Sequence, residues 1–188
     1  MFERVHQAAA AGELPAMITR SRNDSGVCQA VESLYEKHLE ELHRYLLRIG
    51  AGHLQARDIC QDAYVRLFLA LRAGQRIRNP RAWLFSVVHN SGVDSIRASL
   101  RQQPLDPEME ASMTAREADP EQAFLKRERA GRLRRAVSSL PASQRHCMHL
   151  RAEGLRYREI AEILGISITA IAESVARAVK GLREALND

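Results

Sequence analysis

The residues with the clearest chemical bias lie near the C-terminal end of the chain, in the run YREIAEILGISITAIAESVARAVKGL at 157–182. Ala161 is small enough for two helices to cross closely, and Gly165 permits a tight turn. Ile171 plugs the angle between the helices, and Ile160, Leu164 and Ile166 complete a small core. That spacing is a helix-turn-helix, whose second helix can enter a major groove. At about 100° per residue, Ile168, Ile171, Val175, Val179 and Leu182 share the face that packs, while Thr169, Ala170, Glu173, Arg177 and Lys180 share the other. Those five, with Ser174, are the candidate groove contacts. Ser167 is the N-cap, and the positive helix end behind it favours a phosphate. Arg156, Tyr157 and Arg158 open the preceding helix, where they can clamp a nucleic-acid backbone. Glu173 works against this reading unless it accepts a bond from a cytosine amino group or orients an arginine. A helical hairpin with a solvated charged face is the plainer reading of the same residues.

Two faces in the first half carry further chemistry. Between 53 and 72, the stripe Ile59, Ala63, Leu67, Ala70 and Leu71 suits a core, yet Val65 and Leu69 fall outside it, framed by Asp58, Gln61, Asp62 and Arg66. An outward apolar pair ringed by charge reads as a patch for a protein partner, or as ordinary scattered surface apolar residues. From Asn79 to Arg101, Leu84, Val88 and Ile96 turn inward. Trp83, Ser86, Val87, Asn90, Asp94, Arg97 and Arg101 share the opposite side. One ring, several groups able to read base edges and two arginines suit an unstacked single strand. Trp83 serves equally well as a core anchor.

These groups need helices to position them. Apolar residues at three- and four-residue steps predict a helix from Val27 to Arg48, stopped by Gly50 and Gly52. A second runs from His53 to Arg72. A third starts at Pro80 with Asn79 as N-cap. Residues 1–26, with the turn-like Asn23-Asp24-Ser25-Gly26, are expected to be a loosely ordered extension, and 27–101 one domain. Residues 102–120 hold Pro104, Pro107 and Pro120 among acidic residues and predict a flexible linker. The second domain, 121–188, should contain helices at 121–138, 142–153, 156–164 and 168–186. Strand-like alternation is missing, so the fold class is all-α, two small helical domains.

Composition narrows the function. Apolar residues at 45% and charged residues at 27% of 188 suit a folded chain, and 28 basic against 23 acidic residues give +5. Arginine supplies nearly all the positive charge, and its planar fork suits phosphates and base edges. Cys28, Cys60 and Cys147 form no disulfide framework or zinc pattern, which fits a reducing cytoplasm. The start lacks the apolar run of a signal peptide. Phosphate loops, nucleophile elbows and metalloprotease motifs do not occur, so neither an enzyme nor a small-molecule substrate is expected. His146, Cys147 and His149 diverge around a helix, so neither metal nor cofactor is expected.

Three separated runs resemble the extracytoplasmic-function sigma factors, over about 30–101 and 121–186. DICQDAYVRLFLAL is similar to the helix that docks on the polymerase β′ coiled coil. NPRAWLFSVVHNSGVDSIRASLR is similar to the minus-ten reader, and LPASQRHCMHLRAEGLRYREIAEILGIS to the fourth conserved region. The resemblance implies that Asp58, Gln61, Asp62 and Arg66, with Val65 and Leu69 between them, serve docking on core RNA polymerase. It implies that Asn90, Asp94 and Arg97, with the loop from Gly74 to Asn79, capture flipped bases of a melted minus-ten element. The last helix would read a duplex minus-thirty-five element. The linker would thread the polymerase RNA channel, the β subunit would be a further contact, and an anti-sigma or membrane-bound sigma regulator would control the chain. The VARAV run is similar to members governing iron or haem uptake. Ala172, Glu173 and Ser174 depart from the early Lys or Arg of many members. The rivals are a free-standing helix-turn-helix regulator, which binds duplex without polymerase, and a protein-binding adaptor with no salt-dependent DNA affinity.

Overall fold

The computed structural model describes residues 22–102 and 120–187, and every element in them is helical. In chain order these are α1 (Arg22–Ile49), α2 (His53–Arg72), α3 (Pro80–Gln102), α4 (Pro120–Ser138), α5 (Ala142–Ala152), α6 (Tyr157–Leu164) and α7 (Ile168–Asn187). The expected linker, from 103 to 119, lies outside the described residues, as does the chain before Arg22.

One boundary differs from expectation. Asn23-Asp24-Ser25-Gly26 is helical, the beginning of α1. Asp24 sits in the first turn, where a carboxylate favours the helix dipole, and it also pairs with Arg72 at 3.2 Å. That tertiary anchor outweighs the local turn preference, so the first domain begins inside the predicted extension.

α1, α2 and α3 pack around Leu42, Tyr45, Leu46, Cys60, Ala63, Leu67, Leu84, Phe85 and Val88, all fully buried. Tyr45 meets the Phe85 ring edge-on at 5.6 Å and bonds through its hydroxyl to His89 Nδ1 at 2.6 Å. Gly92 lets α1 come close, since a Cβ there would stand 2.7 Å from Leu46. Asn79 caps α3 as expected, accepting the Ala82 N–H at 3.1 Å, with Pro80 at the first helical position.

In the second half, α4 and α6 pack on α7, and α5 lies against both α6 and α7. Gly165 takes the left-handed conformation the tight turn requires, at φ 68°, and Ile160, Ala161 and Ile171 are buried around it. The packing face of α7 is shifted from expectation: Ile171, Ser174, Val175 and Ala178 are buried, whereas Ile168 is 51% exposed. Ile163 enters the core in place of the exposed Ile166, because the turn rotates the chain outward there.

The two halves touch. α1 packs on α5 and α3 on α6, and a single apolar cluster runs from one half into the other.

Candidate nucleic-acid and protein interfaces

α7 presents its outer face to solvent. Thr169, Glu173, Arg177 and Lys180 are exposed, and Ala170 is half-buried. Ser167 caps the helix, its hydroxyl accepting the Ala170 N–H at 3.1 Å. The carboxylate of Glu173 lies 3.8 Å from Arg177 Nη1, one helical turn away. The residue that counted against nucleic acid thus stands beside an arginine it can orient. Lys180 is matched in the same way by Glu184, at 3.9 Å. All four side chains are well solvated, so these pairs are weak and can exchange for a phosphate or a base edge.

Ser174 does not belong to that face. It is 7% exposed and interacts with the Cys147 thiol, while burial pushes that thiol's pKa up. A hundred degrees separates it from Glu173, and that rotation carries it under the helix against α5. Its expected groove contact is therefore corrected to a core role.

At the start of α6, Arg156 and Arg158 are exposed, and Tyr157 is half-buried with the Arg151 guanidinium 5.7 Å from its ring centroid. The Glu159 carboxylate accepts the Arg156 N–H at 2.6 Å, closing the first turn. Arg158 donates to Glu162, one turn farther along, at 3.4 Å. The three residues expected to clamp a backbone are brought together, two of them fully accessible.

On α3, Asn90, Asp94, Arg97 and Arg101 are exposed along one side, continuing Ser86 and Trp83, which are half-buried nearer the helix start. Trp83 packs against the apolar cluster while keeping part of its surface open, so anchor and wall are combined in one residue. Gln55 donates to Ser95 Oγ at 2.6 Å, bracing this helix against α2.

On α2, Val65 and Leu69 are 55% and 54% exposed, beside the exposed Asp58, Gln61 and Asp62. Arg66 bonds Asp62 at 2.7 Å, so the rim of the patch carries one internal pair and one unshared carboxylate, Asp58, among the described residues. Leu54, 79% exposed, extends the apolar surface toward the start of α2, beside a groove lined by Tyr35, Leu39, His43 and Arg57. Sequence reasoning missed that extension because Leu54 stands alone among polar neighbours and its periodicity places it on no stripe. It also missed three arginines of the first half, Arg44, Arg48 and Arg81, which converge on Glu153. Isolated charges on amphipathic helices give no sign of a partner more than seventy positions away.

No helix among the described residues is long and apolar enough to cross a membrane. Nor do they bring together three or more His, Cys, Asp or Glu side chains able to hold a metal ion.

Comparison with known proteins finds two matching family models, sigma-70 region 2 over residues 34–102 and sigma-70, region 4 over residues 130–182. The ferric citrate uptake sigma factor FecI of Escherichia coli is 32% identical over 151 residues, 79% of this chain and 86% of that protein. The RNA polymerase sigma factor YlaC of Bacillus subtilis is 28% identical over 152 residues, covering 79% and 87%. Among solved structures, the sigma factor RpoE in complex with the anti-sigma factor NepR from Bartonella quintana aligns with a TM-score of 0.65. Its identity is 22%, over 85% of this chain and 98% of that one. CnrH, solved in complex with the cytosolic domain of CnrY, aligns at a TM-score of 0.60 and 24% identity over 88% and 93%. Both share the all-helical, two-domain fold.

Proposed function

Because this chain belongs to the extracytoplasmic-function group of the sigma-70 family and is a sigma factor, we propose a division of labour among its three surfaces. α2 docks on core RNA polymerase at the β′ coiled coil through Val65 and Leu69, with Asp58, Gln61, Asp62 and Arg66 around them. α3 and the loop before it receive the melted minus-ten strand: Trp83 and Ser86 form the wall, Asn90 and Asp94 read base edges, and Arg97 and Arg101 hold the backbone. α7 reads the duplex minus-thirty-five element through Thr169, Ala170, Glu173, Arg177 and Lys180. Ser167 and the Arg156–Tyr157 pair grip its phosphates.

The observation that carries this division is the exposed apolar pair Val65–Leu69 on a helix whose other side buries Ala56, Cys60, Ala63 and Leu67. A free-standing regulator has no need of such a patch, whereas a subunit recruited by polymerase does. The chemistry of transcription then belongs to polymerase. This chain supplies recognition, acts where polymerase acts, in the cytoplasm, and needs no cofactor. Residues 103–119 join the two modules in the chain, and an anti-sigma or membrane-bound regulator controls its release. The resemblance to a ferric citrate uptake sigma factor supports a regulon of iron or haem uptake genes.

Core polymerase titrated with fluorescent full-length protein tests the docking surface. Asp62→Lys should weaken the complex with helicity unchanged. Equal affinity of wild type and variant contradicts the docking assignment.

A further inference from the structure

Neither the DNA-reading faces nor the Val65–Leu69 patch uses a pair of histidines at one end of the α1–α2 hairpin. His43, near the end of α1, and His53, the first residue of α2, come together across the turn at Gly50–Gly52. Their ring centroids are 5.8 Å apart and their planes are tilted by 40°. Other histidines are already engaged: His38 is bonded to Glu41 and His89 to Tyr45, and the His146 ring lies edge-on to His89. Among the described residues neither His43 nor His53 is held by a hydrogen bond or an ion pair. Both line the groove between α1 and α2, His43 half-buried and His53 exposed.

Two imidazoles so placed can share one metal ion. A bond of about 2.0–2.1 Å to each ring nitrogen puts each ring centre about 3 Å from the ion, so two rings on one ion stand about 5–6 Å apart at tetrahedral or wider angles. The observed 5.8 Å falls within that range. Because the two helices are joined by a short turn, they hold both ligands in place before the ion arrives, which lowers the ordering cost of binding. Glu40, one turn before His43, offsets the charge of Arg57, one turn past His53, in the same groove. Its volume of about 540 Å³ leaves room for the waters that complete the shell. Imidazole ligands favour late divalent transition metals over magnesium and calcium, which take oxygen ligands.

We propose that His43 and His53 form a two-point site for a late divalent transition-metal ion such as zinc, and that filling it weakens docking on core RNA polymerase. The effect on docking rests on the α2 surface proposed above. Leu54 follows His53 directly and is 79% exposed, and Gln61 of the docking set lines the same groove. A hydrated ion at His53 places charge and bound water where Leu54 would shed its own water against a partner. Such coupling is reciprocal, so polymerase that covers Leu54 expels the ion. The ion is an effector and not a cofactor. Two ligands, half the complement of a structural zinc site, should hold it with a Kd on the order of 1–100 µM.

Calorimetric titration of the full-length chain with zinc chloride tests the site, in a Cys28→Ser background that removes the exposed thiol. One binding event in the stated range is expected. His43→Gln and His53→Gln should each weaken it at least about tenfold with helicity unchanged. Fluorescent protein is then titrated with core polymerase, without zinc and with zinc at ten times its Kd. Mutually exclusive binding raises the apparent Kd for polymerase about tenfold in the parent chain, whereas docking of the His53→Gln variant should not respond. Absence of zinc binding, or binding that survives both substitutions, removes the site. Zinc that binds through the two histidines while parent and variant dock alike overturns the effector role. The calorimetry contains no polymerase, so a failure of the docking assignment shows separately, as zinc binding by a chain that does not dock with or without the ion.

Discussion

Glu153 and Glu173 are both glutamates facing arginines, and they behave as opposites. Glu153 is desolvated, held by two guanidinium groups through its carboxylate and by a third through its carbonyl, across a seam between distant parts of the chain. Glu173 lies 3.8 Å from Arg177 on the same helix, with side chains 60% and 62% exposed. Water decides the difference. A solvated pair is worth well under about 1 kcal/mol and gives way to any better partner, while a buried one resists replacement because a lone charge is costly there. The first arrangement suits a fixed contact, and the second suits a face that must exchange water and its own carboxylate for DNA.

The largest difference between the two glutamates is expected when Glu153 is removed. Replacing it with Ala should lower stability by about 2–3 kcal/mol in urea unfolding, whereas Glu173→Ala should shift it by less than about 0.5 kcal/mol. Equal effects at the two sites would contradict the distinction.

Acidification should weaken the same seam. Burial lowers the His89 pKa to about 4, with His146 and Arg97 adding repulsion and Asp94 opposing them. His149 is likewise lowered to about 4, by burial first and then by Arg48, His146 and Arg145 against Glu153. His146 is shifted down by burial, Arg145 and Arg97. A histidine held neutral when folded contributes fully above its ordinary value of 6.5, and that contribution is lost as pH falls through 6.5 toward 4. His89 alone should cost about 2 kcal/mol of stability between pH 7 and pH 5. Denaturant titrations at the two pH values measure it, and a protein equally stable at both would refute the buried neutral seam.

On the exposed side, Arg177→Ala should cost about 1–3 kcal/mol of binding at one base position if it reads a base edge, with folding stability unchanged. A loss uniform across sequences would make it a phosphate contact, resolved by repeating the titration on promoter variants. The smallest binding effect belongs to Ser174, beside Glu173 in sequence but under the helix. Ser174→Ala should leave DNA affinity unaltered and change stability by about 1 kcal/mol.

The helices were legible in the sequence because each depends on signals a few residues apart. Asn79 and Ser167 cap where their side chains predict, Gly165 turns where only a left-handed residue fits, and α2 runs between the expected ends. Val65 and Leu69 were readable as outward-facing because the period of the helix leaves them no core to enter. What escaped depends on partners far along the chain. Arg72 converts an apparent turn at Asp24 into helix, α5 covers Ser174, and Arg44, Arg48 and Arg81 find Glu153 across the seam. No local pattern encodes those pairings, and they are what join two separately readable domains into one closed body.

Whether this chain lends promoter specificity to polymerase is tested most directly by transcription in vitro. Fragments of the source genome are incubated with core polymerase, with and without the protein. Defined start sites that appear only when both are present are the predicted result. Tight duplex binding by the protein alone, with no initiation from any fragment, would contradict the account and favour a free-standing helix-turn-helix regulator.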